Sequence, residues 1–291
     1  MRPYRPFKYP FAVEAASQQT KMSWHEAEIV LSRDVMDFKQ LQKREQRFIT
    51  QILKTFTQSD TAVAENYSRM LGMEEMREEN ELRQMFLTFG AMEGVHQRAY
   101  DLLNSTLGMV DYDGYLEVPQ MASKIEFIGG EEDFYDLVAS SAVHEGVSLF
   151  SAFAMLISLQ RSGRLMGTCK IVEFSIKDEN LHVNSMIELW KQLPIKKEPK
   201  FEIAVQLEDA LIDYVFEGDE EVLGLRKEDL KNWVRYLVDV RRKQMGLDVK
   251  YGVKNPLEWM DYIILAKSHQ NFFEQKSADY IAGGLVGGWD D

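Results

Sequence analysis

The chain has 291 residues, enough to bury a large core, with 34 Lys and Arg against 47 Asp and Glu and a formal net charge of −13. That acidity argues against a nucleic-acid partner, because phosphate contacts need a surplus of basic side chains. The single cysteine, Cys169, excludes an internal disulfide and a cysteine-based zinc cluster, and a reducing, cytoplasmic setting is the simplest reading. No uninterrupted apolar run reaches the roughly 18 to 20 residues of a membrane helix, and no apolar signal-peptide core follows the basic N-terminus, so neither secretion nor membrane spanning is expected.

Residues 1–22, with Pro3, Pro6 and Pro10 followed by Ala16-Ser-Gln-Gln-Thr20, read as an extended N-terminal arm lying along another surface. Ser23 is placed to cap a short helix carrying Trp24 and Glu28. The next helix runs from about Asp37 through Tyr67, and a long one from Glu74 to Leu107 is closed by Gly108. Residues 109–130, with Asp111-Tyr-Asp-Gly114 and Gly129-Gly130, read as a connection. Helices follow over about Glu131–Arg161 and Leu165–Leu193, the second ended by Pro194, and another over Arg226–Met245. Strand signals are sparse. Asn255-Pro256 opens a last short helix, and Gly283, Gly284, Gly287 and Gly288 then loosen a tail that is too glycine-rich to pack by itself. The tail reads as a docking peptide, with a disordered end of no consequence as the alternative. The expected organisation is an arm over 1–22, one helical domain over 23–270 and a flexible tail over 271–291.

The organising feature is a pattern that occurs twice: a lone carboxylate, then an acid and a histidine three residues apart. Asp60 precedes Glu93-Gly-Val-His96 by 33 residues, and Glu145 precedes Glu179-Asn-Leu-His182 by 34. Residues three apart share a helix face, so each Glu and His can bind one ion together. All four acids interrupt apolar stripes, such as Phe86, Phe89 and Gly90 before Glu93. A carboxylate on a core-facing stripe must be paired, protonated or metal-bound. An ordinary buried acid paired to Arg or Lys accounts for any one of them, but two matched triplets point to a dinuclear metal site in an all-α, ferritin-like bundle. Oxygen donors with two imidazoles and no thiolate favour iron or manganese, as two divalent ions. Tyr100, one turn beyond His96 on the same face, is the phenol placed for oxidation. Asp178 points about 100° away from its neighbour Glu179 and reads as the partner of a ligand histidine. His25, His144 and His269 lack an acid at matching spacing and read as structural.

These residues resemble the radical-generating small (beta) subunit of class I ribonucleotide reductase, over nearly the whole chain. The family order of Asp, Glu-x-x-His, Glu and Asp-Glu-x-x-His stands here as Asp60, Glu93 to His96, Glu145 and Asp178-Glu179 to His182. Trp24 with Glu28 and Ser32-Arg33-Asp34, Asn255-Pro256 with Trp259-Met260, and Tyr280 with Glu274 match further segments. The resemblance implies that Tyr100 is the radical tyrosine, that His96, Asp178 and Trp24 conduct an electron and proton outward, and that Tyr280 carries the radical to a large (alpha) catalytic subunit. It also implies a homodimer, which the wide apolar faces around Phe86 and Leu137 support by exceeding what one bundle layer covers. Without the family, Trp24 reads as a surface-helix anchor. Two positions depart from the pattern: Ser175 replaces a bulky aliphatic, offering water or a hydrogen bond a route to the oxidant, and Leu149 stands where relatives often carry Phe. A ferritin-like iron-handling protein and a self-contained di-metal oxidase of an apolar substrate explain the same ligands but give Trp24, Tyr280 and the tail no task.

Overall fold

A computed structural model describes residues 3–109 and 113–261 of the chain. The chain divides after Pro256 into two compact units, Met1–Pro256 and Leu257–Asp291. In the second, residues 258–261 are helical, where the Asn255-Pro256 signal places a helix start. His269, Tyr280 and the tail from 271 lie outside the described residues.

Among the described residues, the first unit is built of helices with one short hairpin. Its helices are α1 (Pro10–Met22), α2 (Ser32–Gln40), α3 (Lys43–Leu71), α4 (Asn80–Thr106), α5 (Pro119–Gly129), α6 (Phe134–Val143), α7 (Leu149–Ile157), α8 (Met166–Gln192), α9 (Phe201–Phe216) and α10 (Lys227–Met245). Strands β1 (Glu221–Val222) and β2 (Leu225–Arg226) pair antiparallel between α9 and α10. Helices α3, α4, α6 to α7 and α8 pack on one another as the central bundle, with α1 laid over α4 and α8.

Three expectations are corrected by packing. Residues 10–22 form a helix rather than an extended arm: Pro10 sits in the first turn, where its missing N–H is harmless, and Ala12, Ala15, Ala16 and Gln19 fall on one buried face. Just ahead of it, the backbone N–H groups of Lys8 and Tyr9 donate to buried Glu81 of α4 at 2.6 and 3.1 Å. Ser23 ends α1 instead of starting a helix, and Trp24 lies in the link before a single 3₁₀ turn over Glu26–Glu28. The helix expected from Asp37 to Tyr67 is two helices, because Leu41 is extended and Gln42 and Glu45 form a capping box that starts α3.

Two helices lie where none was read. The connection over 109–130 contains α5, with Pro119 in its first turn and Met121, Lys124 and Ile128 buried at helical spacing. Helix α9 presents Phe201, Ala204, Val205, Glu208, Leu211, Ile212 and Val215 to the interior. Phe86 and Leu137 themselves are 0% and 1% exposed within the single chain, so these two side chains offer no surface to a second copy. Among the described residues, the stretch Phe134–Ser162 is long and apolar enough by composition to cross a membrane, and its most apolar window lies buried in the core of the bundle.

That stretch is not one regular helix: His144–Ser148 forms a π-helical turn between α6 and α7. A π turn releases carbonyls from the ordinary ladder. Here buried cations from other helices take two of them, Arg241 Nε on Gly146 O at 3.0 Å and Lys124 Nζ on Ser148 O at 3.0 Å. Gly146 is required by this approach, since a Cβ would lie 2.9 Å from Arg241 Nε. Helix α8 begins on the side chain of Asp34, which accepts from the N–H groups of Gly167 and Thr168 at 3.0 and 2.6 Å, so α2 caps the helix that carries Glu179 and His182.

Candidate metal centre

Each half of the doubled pattern is delivered by a helix pair. Asp60 comes from α3 and Glu93 and His96 from α4, while Glu145 comes from the π turn and Glu179 and His182 from α8. All six are at most 1% exposed. Their ligand atoms converge in two overlapping groups, Asp60 with Glu93 and His96, and Glu93 with Glu145, Glu179 and His182. Glu93 belongs to both. Glu179 also spans them, with one oxygen 3.3 Å from His96 Nδ1 and the other 3.7 Å from His182 Nδ1.

Two imidazoles face four acids here, and among the described residues no Lys or Arg pairs with any of the four carboxylates. Burial alone lowers the histidine pKa values, but the surrounding carboxylates outweigh it and hold both well above the usual range. Burial pushes Asp60 up, and it raises Glu145 to about 7, with Glu179 and Glu93 nearby adding to the shift and His182 opposing it. Glu93 is drawn down to about 2 because His96 and His182 overcome its burial. Asp60 Oδ2, both oxygens of Glu93, both of Glu179 and His96 Nδ1 have no hydrogen-bond partner. Buried polar atoms left open in one cluster, on donors suited to hard divalent ions, fit a dinuclear carboxylate site.

The imidazoles turn Nδ1 inward and Nε2 outward. His96 Nε2 meets Asp178 Oδ2 at 3.0 Å, and Trp24 donates its Nε1 to the same oxygen at 2.8 Å. Trp24 is 7% exposed and stacks near His96 with centroids 5.9 Å apart, so it is no surface anchor. His182 Nε2 meets Gln19 Oε1 at 3.1 Å, and Gln19 Nε2 donates to Asp178 Oδ1 at 2.7 Å. One carboxylate thus orients both imidazoles, one directly and one through an amide. Gln19 escaped the sequence reading because residues 10–22 were not read as a helix. Its spacing of 3, 4 and 7 residues after Ala16, Ala15 and Ala12 was the available signal.

Tyr100 is fully buried, stacks on Phe56 at 5.0 Å, and donates its hydroxyl to Ser175 Oγ at 3.0 Å. Burial and the Asp60 charge push its pKa far above the usual phenol value. Tyr67 donates to both oxygens of Glu145 at 3.0 and 2.8 Å. Neither His25, which caps the short turn before α2, nor His144, packed edge-on against Phe127 at 4.8 Å, joins the cluster.

Comparison with known proteins agrees with this architecture. The family model for the ribonucleotide reductase small chain matches residues 2–256. A probable ribonucleoside-diphosphate reductase small subunit of Invertebrate iridescent virus 3 is 32% identical, covering 98% of this chain and 86% of its own length. The ribonucleoside-diphosphate reductase small chain of Trypanosoma brucei brucei is 27% identical, covering 97% of this chain and 87% of its own. Among solved structures, the ribonucleotide reductase R2 subunit from Clostridium botulinum superposes with a TM-score of 0.80 at 22% identity, covering 91% of each chain. A dimanganese(II) protein from Streptococcus sanguinis gives 0.74 at 18%, covering 87% of this chain and 94% of its own. With the match spanning nearly the whole helical unit, the chain belongs to the ribonucleotide reductase small-chain family.

Proposed function

We propose that the chain is the radical-generating half of a class I ribonucleotide reductase, working with a large catalytic subunit that converts ribonucleotides to deoxyribonucleotides. The observation that carries this is the path from the six-residue cluster through His96 and Asp178 to Trp24, made of two hydrogen bonds on one carboxylate oxygen. Asp60, Glu93, His96, Glu145, Glu179 and His182 would hold two divalent ions, iron, manganese or one of each. When bound and oxidised by dioxygen or peroxide, the pair would supply a one-electron oxidant.

The chain's own residues do the rest. The four carboxylates supply four negative charges and the two imidazoles are neutral when they ligate, so two divalent ions balance the site. Binding therefore expels the protons that the imidazoles and Glu145 carry in the metal-free cluster. Asp178 fixes the ring of His96 and accepts the Trp24 N–H, so electron transfer outward along this line can be matched by proton movement on the same hydrogen bonds. Buried phenyl and alkyl groups, Phe56, Phe89 and Phe153 among them, exclude water from around the oxidant. Tyr100, at the family's radical position, is the phenol on the Asp60 side. Tyr280 would carry the radical to the large subunit from the tail.

A storage or self-contained oxidase role gives the Asp178 to Trp24 link no task. The partner, the homodimer, the absence of nucleic-acid and membrane partners and the cytoplasmic setting are part of the same proposal, with a docking tail over 271–291. Metal analysis after loading with iron or manganese, followed by deoxynucleotide assay with the large subunit, tests it. Two ions per chain and turnover that Tyr280→Phe abolishes without loss of metal are expected. A metal content near zero, or activity supported by zinc alone, refutes it.

A further inference from the structure

Tyr67 and Tyr100 are both buried phenols, but they meet the cluster on different halves. Tyr100 gives its hydroxyl proton to another hydroxyl, Ser175 Oγ, at 3.0 Å. Tyr67 gives its own to a carboxylate that is a candidate metal ligand, reaching both oxygens of Glu145 at 2.8 and 3.0 Å. Its ring is 1% exposed and fixed by Phe86 at 5.8 Å, Phe89 at 6.0 Å and the His182 imidazole at 6.0 Å.

Removing an electron from a neutral phenol leaves a strongly acidic cation, and an uncompensated positive charge in a dry interior is costly. The electron therefore leaves readily only where the proton can leave with it. A carboxylate accepts that proton directly, whereas a serine hydroxyl must pass a proton on. By this criterion Tyr67 is better prepared for oxidation than the phenol at the family's radical position.

We propose that Tyr67 is a second oxidisable phenol of this centre, an electron donor to the metal pair on the Glu145 and His182 side. This rests on the dinuclear-site reading above. In the step, the Tyr67 O–H bond breaks, its proton passes to a Glu145 oxygen, and one electron passes to the metal pair. The metal pair, oxidised beforehand by dioxygen or peroxide, falls by one oxidation equivalent, and a neutral phenoxyl remains. Tyr67 meets Glu145 and His182, while Trp24 and Asp178 meet His96, so the hole on Tyr67 is held on the half away from the outward path.

The test uses the full chain loaded with ferrous iron, exposed to dioxygen, frozen and observed by electron paramagnetic resonance, with metal content and melting temperature measured on each sample. In Tyr100→Phe a tyrosyl signal is expected to persist, and in the Tyr67→Phe, Tyr100→Phe double variant to vanish while both metals are retained. Incorporating 3-fluorotyrosine at position 67 alone, which keeps the ring and hydroxyl, is expected to add fluorine hyperfine structure to the signal. Metals bound and oxidised with no Tyr67-dependent signal overturn the proposal and leave the metal-site reading standing. Wild-type protein that binds no metal overturns both.

Discussion

The two halves of the centre carry the same ligand types and differ in everything that holds them. Glu93 and His96 sit on α4, an unbroken helix, and His96 has a direct carboxylate partner that also grips Trp24. Glu145 sits on a π turn whose carbonyls depend on Arg241 and Lys124, and His182 reaches Asp178 only through Gln19. Repetition in sequence thus supplies two matched candidate ligand sets, while the shell around them ties one half to Trp24 and gives the other a ligand held by a phenol on a π turn. Under the proposed function, outward transfer would use the His96 half, whose imidazole alone shares a carboxylate oxygen with Trp24.

Breaking the support of the Glu145 half should have the largest effect. Lys124 is 2% exposed and pairs with buried Glu208 at 2.8 Å as well as with the π turn. Lys124→Met strands the Glu208 charge, and a stability loss of about 3–5 kcal/mol is expected in denaturant titration. The double change with Glu208→Leu should recover much of it, because no orphan charge remains; full loss in both would mean the π turn itself is the weak point.

Asp178→Asn cuts the exit half. It keeps the size of the side chain but weakens the grip on His96 and Trp24, and deoxynucleotide formation should fall by roughly 100-fold. Trp24→Phe, which leaves Asp178 on His96, should retain both metals and lose turnover; normal turnover there would remove Trp24 from the path.

Gln19→Leu sharpens the contrast, since it removes the partner of His182 Nε2 and one donor to Asp178 Oδ1 but leaves Asp178 Oδ2 on His96. Manganese titration should show one of two sites weakened by roughly 10-fold and the other unchanged. Equal weakening of both would show that Asp178, not Gln19, sets the difference.

The smallest effect is on pH. In the metal-free protein, Glu145 at about 7 and the two raised histidines bind protons on folding. Their contribution is present at low pH and lost as pH rises through the folded values, whereas Glu93 at about 2 is ionised in both states above pH 6 and adds no slope. The metal-free protein should therefore melt at higher temperature at pH 6 than at pH 8, and metal affinity should move the other way, falling as pH drops. Parallel trends would contradict the proton exchange.

The chemistry of the site was legible because helices convert spacing into geometry. A three-residue gap places Glu and His on one face whatever surrounds them, so all six candidate ligands, together with Asp178 and Tyr100, could be read from the chain. Bundle class followed from the same periodicity. Helices α1, α5 and α9 were missed because prolines and polar residues mask short amphipathic faces that only become helical when packed. The apolar faces at Phe86 and Leu137 suggested a second copy, but those two side chains are covered within one chain.

By itself, then, the sequence determined which side chains can bind metal and that they lie on helix faces, since these depend on local periodicity alone. Tertiary structure decided which nitrogen of each imidazole faces inward, that Gln19 links His182 to Asp178, that Tyr67 rests on Glu145, and that two buried cations hold the π turn. These partners lie between 24 and 163 residues apart in the chain, and no local rule relates such positions until packing brings them within hydrogen-bond distance.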